Sequence, residues 1–158
     1  PVLSLLPQVA VQRLGWQEAG YGTLLSSVGV GAVLSSLLVA RRGFSTSPWL
    51  FLRAGILIAC LGELILAHAP FGWCGMAGAF FLGMGLILFI PTAQGVVQMA
   101  AADSVRGRVM ALWTMGMSLA TPVGNAITGP LADRYGVSLV LTGMAGLMVC
   151  LLAGTRRQ

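Results

Sequence analysis

Charge is what this sequence has least of. Only 8% of its 158 residues are charged, four of them acidic, and there is a single histidine. Ordinary soluble domains carry about a quarter charged residues, so the composition argues against a water-soluble fold. The same scarcity removes enzyme chemistry: without a serine in a nucleophile-elbow pattern, these few groups supply no triad, metal cluster or phosphate loop. No catalytic residue, metal site or cofactor is therefore expected. Glycines such as Gly29 and Gly31 lie inside an apolar run rather than between a strand and a helix, which removes a dinucleotide site. The three cysteines, Cys60, Cys74 and Cys150, are unclustered and lie in or beside apolar runs, so they read as small packing residues. Lysine is missing altogether. All nine basic residues are arginines, most of them at the ends of apolar runs, so the net charge of +5 reflects topology and not a nucleic-acid partner.

What is present is hydrocarbon-compatible length. Hydrophobic residues make up 57% of the chain, and the mean hydropathy is +0.90. One crossing of a roughly 30 Å hydrocarbon core takes about 20 apolar residues, which leaves no room for a separate soluble domain. Spans are expected at about 20–40, 49–69, 73–98, 107–129 and 137–154, the last slightly short. Residues 1–10 are apolar but too short to cross, so they read as the end of a preceding helix. With neither an initiator methionine nor a signal segment, the chain reads as cut from something longer. The expected fold is all-α: a polytopic membrane protein with five transmembrane helices plus a helix stump.

Several positions within these spans suggest packing. Gly22, Ser26, Gly29 and Ser36 near heptad spacing, and Gly75, Ala79 and Gly83 four apart, predict faces where helices approach closely. Pro91 predicts a kink. Trp16 in the polar turn QRLGWQEA suits an interfacial anchor, and Arg53 is near enough to a span start to reach headgroups. Summed by alternate connections, Arg41, Arg42, Arg106, Arg108, Arg156 and Arg157 fall on one side and only Arg13 and Arg134 on the other. That bias places the first group and the C-terminus in the cytoplasm.

The stretch from Asp103 to Gly136 carries the most pattern. Thr114, Ser118, Thr121, Asn125 and Thr128 follow at steps of four, three, four and three, which keeps them on one face of a helix crossing the bilayer. Gly116, Ala120 and Gly124 repeat on roughly the opposite side, a surface for close contact. Threonine and serine can simply bond their own helix backbone, but an amide such as Asn125 in hydrocarbon requires a partner. Gln94 and Gln98, one turn apart after Pro91, form a second polar patch that suits either a cavity lining or an interfacial helix end. Glu63 is the only carboxylate well inside a span and a candidate for proton movement, with His68 five residues on; the plainer reading is a protonated or helix-bonded Glu63 and an interfacial His68. The crossing closes on a turn containing Asp133 and Arg134.

At SVRGRVMALWTMGMSLATPVGNAITGPLADRYG the chain resembles the major facilitator superfamily, particularly the enterobactin-exporter-like and transmembrane secretion effector branch. The resemblance rests on an acidic-x-x-RGRVM entry to the eleventh helix (Asp103, Arg106, Gly107, Arg108, Val109, Met110), on Pro122 with Gly124, and on the turn Gly129, Ala132, Asp133, Arg134, Gly136. Upstream, GYGTLLSSVGVGAVLSSLLVARR looks like the eighth helix. The likeness implies half of a twelve-helix major facilitator bundle, with the N-terminal half of the same transporter as its missing partner, and a small-molecule substrate moved by alternating access. Proton-coupled export of drug-like or siderophore-like amphipathic molecules from the bacterial inner membrane is what it implies for function. It favours Gln94 and the α-helical stripe over Glu63, because the ninth helix is peripheral in that fold. GPLADRYG imitates a cytoplasmic loop signature of the family but falls on the other side by the arginine bias, so that gating role is not carried to Asp133 or Arg134. A non-transporting membrane scaffold or assembly subunit is the competing reading.

Overall fold

The computed structural model describes residues 2–12, 14–16, 18–42 and 48–154. Every regular element among them is an α-helix: α1 (Val2–Gln12), α2 (Glu18–Arg42), α3 (Pro48–His68), α4 (Gly72–Ala100), α5 (Arg106–Tyr135) and α6 (Val137–Gly154). Hydrocarbon leaves little alternative, because every backbone N–H and C=O must be satisfied within its own segment. Arg13, Gln17, the GFSTS stretch at 43–47, and Arg156 with Arg157 lie outside the described residues, as do the sequence expectations that rest on them.

Helices α2, α3 and α4 are long and apolar enough to cross a membrane, while α1 and α6 are shorter apolar helices. At 30 residues α5 has the length, about 45 Å at 1.5 Å per residue, but its Thr, Ser, Asn, Gly and Pro content makes it less apolar than the other three.

The three long helices are held by backbone approach. Gly55 and Gly62 on α3 face Gly85 and Gly78 on α4, two heptad pairs running antiparallel. A β-carbon at Gly55 would lie 2.8 Å from the Phe89 amide nitrogen, and one at Gly78 would lie 2.9 Å from that of Leu66. On the other side of α4, Gly83 lies against the Val28 backbone and Gly31 against Phe80 and Met84. The buried Ser35 hydroxyl adds an interhelical bond, donating to the Met84 carbonyl at 3.0 Å. Leu24, Leu66 and Leu82, each fully buried, fill the space between.

This moves the expected contact face of α2. Gly22 and Gly29 have no atom within 4 Å of a β-carbon position, and Ser26 and Ser36 are exposed with hydroxyls on their own helix backbone. Leu24, Gly31 and Ser35 form the buried side. Small size alone marks where a helix can approach; which face is used depends on where α4 lies. On α4 the expectation holds, since Gly75, Ala79 and Gly83 are all buried. Among the cysteines only Cys60 is buried, with its Sγ 3.8 Å from the Ala145 carbonyl oxygen and 3.9 Å from Met148 Sδ; Cys150 is exposed.

The expected turn around Asp133 and Arg134 is also corrected. Helix α5 continues through Pro130 and both charged residues to Tyr135. It ends at Gly136, whose φ of 85° suits glycine and whose amide donates to the Ala132 carbonyl at 2.9 Å. Helix α4 likewise runs through Pro91, with the adjacent Thr92 hydroxyl donating to the Leu88 carbonyl at 2.6 Å. Trp16 lies against Gly20 and Gly72, and Gln8 bonds Asp133. The α1–α2, α3–α4 and α5–α6 connections therefore share one end of the bundle.

A bulky residue at Gly83 should overpack the α2–α4 contact. Gly83→Leu is expected to destabilise the folded protein by about 1–3 kcal/mol, whereas Gly29→Leu should not. Thermal unfolding of the two purified variants in detergent checks this; equal midpoints would refute the contact.

Candidate functional site

The polar stripe of α5 divides into two parts. Its outer half is covered. Thr128 is 9% exposed and Ala132 is 1% exposed, and they pack toward the cluster formed by Leu5, Leu6, Val9 and Ala10 of α1 with Val137, Val140 and Leu141 of α6. Asn125, half-buried, receives a hydrogen bond from the Ser4 hydroxyl on its Oδ1 at 2.7 Å. An amide in hydrocarbon needs such a partner, and α1 supplies it. Two turns further along α5, Asp133 Oδ1 accepts a hydrogen bond from Gln8 Nε2 at 3.1 Å. Ser4 and Gln8 were not singled out from the sequence. Their one-turn spacing was the available signal, and a segment read as a stump gave no reason to look for it.

The inner half of the stripe is open. Thr114, Ser118 and Thr121 are exposed. Thr114 donates to the Met110 carbonyl at 3.0 Å and Thr128 to that of Gly124 at 2.9 Å, so these two hydroxyls are spent on their own helix. On the other side of α5, Gly116 has nothing within 4 Å of its β-carbon position, and Ala120 is exposed. The close helix contact expected for Gly116, Ala120 and Gly124 is thus not made within the described residues. Gln94 and Gln98 are exposed on the last turns of α4, and among the described residues no hydrogen bond joins either to α5.

Glu63 stands apart from both surfaces. It is 1% exposed and its Oε2 is buried without a hydrogen-bond partner among the described residues. It lies one turn beyond Cys60, which faces α6, and one turn before Leu66 and Ala67 of the core. His68 ends α3 in an exposed position, with Nδ1 3.2 Å from the Leu64 carbonyl oxygen. At the opposite end of the bundle, Asp103 and Arg106 form an ion pair at 2.5 Å, and both are exposed. Gly107 and Arg108 beside them are also exposed, and Gly107 has no close neighbour.

A helical bundle packed by glycine contacts, with an uncharged polar helix along one flank, defines an integral membrane protein of the transporter type. The comparisons make the assignment specific. The whole chain, residues 1–158, matches the transmembrane secretion effector family, and the protein belongs to that family within the major facilitator superfamily. It is 30% identical over 115 residues to the uncharacterized MFS-type transporter YwfA of Bacillus subtilis, an alignment covering 70% of this chain and 28% of that protein. It is 30% identical over 140 residues to the multidrug efflux pump Tap of Mycobacterium bovis, covering 87% of this chain and 31% of the pump. It is also 24% identical over 115 residues to the gentisate transporter of Corynebacterium glutamicum, covering 73% of this chain and 25% of the relative. The chain thus spans about three tenths of the first two relatives. No solved structure matches it significantly. Family membership points to transport and away from both enzyme and scaffold.

The Ser4–Asn125 bond should be measurable as a coupling. A double-mutant cycle of Ser4→Ala with Asn125→Leu is expected to give about 0.6 kcal/mol, and at most about 1.7, by unfolding in detergent. A coupling near zero would detach α1 from α5.

Proposed function

We propose that this chain forms the C-terminal half-bundle of a bacterial inner-membrane secondary transporter that exports small amphipathic molecules in exchange for protons. The observation that carries the reading is the family match along the full 158 residues, supported by the likeness to a multidrug efflux pump. In this reading five helices cross the bilayer. α2, α3 and α4 do so by length and composition, and α5 and α6 do so as members of the bundle, with α1 as the end of a sixth. The arginine bias puts the Asp103–Arg108 segment and the C-terminus in the cytoplasm. The solute moves as two half-bundles rock about a central path. That path runs along Gln94, Thr114, Ser118, Thr121 and Asn125. These side chains are polar but uncharged, which suits an amphipathic solute that must both bind and leave.

Transport assays on the complete transporter in everted vesicles test the reading. Asn125→Leu is expected to cut export of an amphipathic dye by about tenfold, the order of effect of losing one buried hydrogen bond, while leaving membrane insertion intact. Unchanged export would take Asn125 off the path. The proton part is assigned to Glu63, the carboxylate inside a span. Glu63→Gln is expected to abolish uptake driven by a pH gradient into everted vesicles while sparing exchange of labelled for unlabelled solute. Gradient-driven uptake at the wild-type rate would move proton binding to another helix.

A further inference from the structure

The contact between α1 and α5 leaves hydrogen-bonding capacity unspent, and all that is identifiable is of one kind. Gln8 directs its Nε2 at Asp133 Oδ1, 3.1 Å away. A carboxylate can only accept, so the amide must present its NH2 group there and its Oε1 on the other limb. That oxygen is buried and has no partner among the described residues. Asp133 is exposed, and one hydrogen bond leaves most of the roughly four acceptor positions of its carboxylate open. Among the described residues no cation forms an ion pair with it. Its neighbour Arg134 is directed elsewhere, with the guanidinium carbon 5.9 Å from the centre of the Tyr135 ring. Asn125 Oδ1, nearer the bilayer centre, is already occupied by Ser4. What remains at this end of the bundle is a negatively charged carboxylate beside an unsatisfied amide oxygen, where the polar stripe of α5 reaches the outer end.

We propose that Gln8 and Asp133 form a recognition site for a protonated amine at the outer end of the solute path, so that the transported molecules include hydrogen-bond-donating organic cations. The inference rests on the transport reading above and adds the substrate class. An ammonium group carries several N–H donors and no acceptor, which complements an acceptor-only site. The amphipathic body of the same molecule extends inward along α5 beside Asn125, Thr121 and Ser118. A quaternary ammonium lacks the donors and gains only the charge attraction. An anion meets the Asp133 charge and is rejected. The interaction at Asp133 is charge-assisted, so it discriminates more strongly than a neutral hydrogen bond does.

The test uses the complete transporter and two probes differing at one nitrogen: dansylcadaverine, which carries a primary ammonium, and its N-acetyl derivative, which is neutral. Fluorescence titration of the purified protein in detergent is expected to show the amine binding about tenfold or more tighter than the acetylated probe, the fold-change of a charge-assisted hydrogen bond. Asp133→Asn keeps an acceptor for Gln8 and lies at an exposed position, so folding should be retained. It is expected to bring the ratio to within about twofold while leaving the affinity for the acetylated probe unchanged. Gln8→Leu should reduce the ratio in the same direction. Equal wild-type affinity for the two probes, binding of neither, or a preference that survives Asp133→Asn overturns the proposal. Export of both probes from everted vesicles separates the two readings: equal export of amine and amide leaves transport standing and removes the cation site, whereas export of neither, with no binding, removes both.

Discussion

Helices in hydrocarbon gain nothing by hiding apolar side chains from a solvent that is itself apolar, so their association depends on how closely their backbones can approach. In this protein that constraint is met at α4. Glycines on both of its sides, Gly78 and Gly85 toward α3 and Gly83 toward α2, bring three long helices together with no side chain between them. The remaining elements are arranged around that unit. Helix α6 packs on α3 through Cys60 and Met148, and α1 lies against α6 and the outer part of α5. Helix α5 therefore makes few contacts along its inner two thirds. That is the condition for a polar surface to remain available to a solute instead of being consumed in packing.

Polar groups in this bundle are treated in three ways. Some are spent on their own helix, as with Thr92, Thr114 and Thr128, and these report little about function. Others are matched across helices, as with Ser35 to Met84 and Ser4 to Asn125, which fixes orientation at modest energy. A last group is left incompletely satisfied: Glu63 Oε2 and Gln8 Oε1, both buried without a partner. Unsatisfied polar atoms in low dielectric are costly. Their persistence in a chain otherwise so poor in charge makes them the positions where structure has been given up for something else. The two are assigned different work, proton binding on α3 and solute recognition between α1 and α5.

Much of this was legible in the residues. Apolar runs of about 20 residues bounded by arginines predict helices close to those observed for α2, α3 and α4, and the Pro70–Phe71–Gly72 turn falls where it should. The RGRVM segment and the features after it were enough for the superfamily. Two details misled. The α2 small residues nearest heptad spacing pointed away from the helix that α2 contacts, because spacing defines a face but not the neighbour opposite it. The sequence GPLADRYG reads as a turn from its glycine, proline and charged residues, yet only Gly136 adopts a conformation that stops a helix. A proline inside a membrane helix costs one backbone bond, and leaving the helix altogether would cost several.

Composition and periodicity by themselves determined that the chain is helical and membrane-embedded, where its long helices lie, and that α5 carries a polar stripe, because each of these depends only on residue type and spacing within one segment. Tertiary structure decided which small residues make contact, that the outer half of the stripe is closed by Ser4 and its inner half left open, and that Gln8 meets Asp133. Those outcomes depend on pairs more than 100 positions apart in the chain, 121 for Ser4 with Asn125 and 125 for Gln8 with Asp133. No local pattern specifies such a pairing; it follows from where α4 gathers its neighbours and leaves α1 to lie.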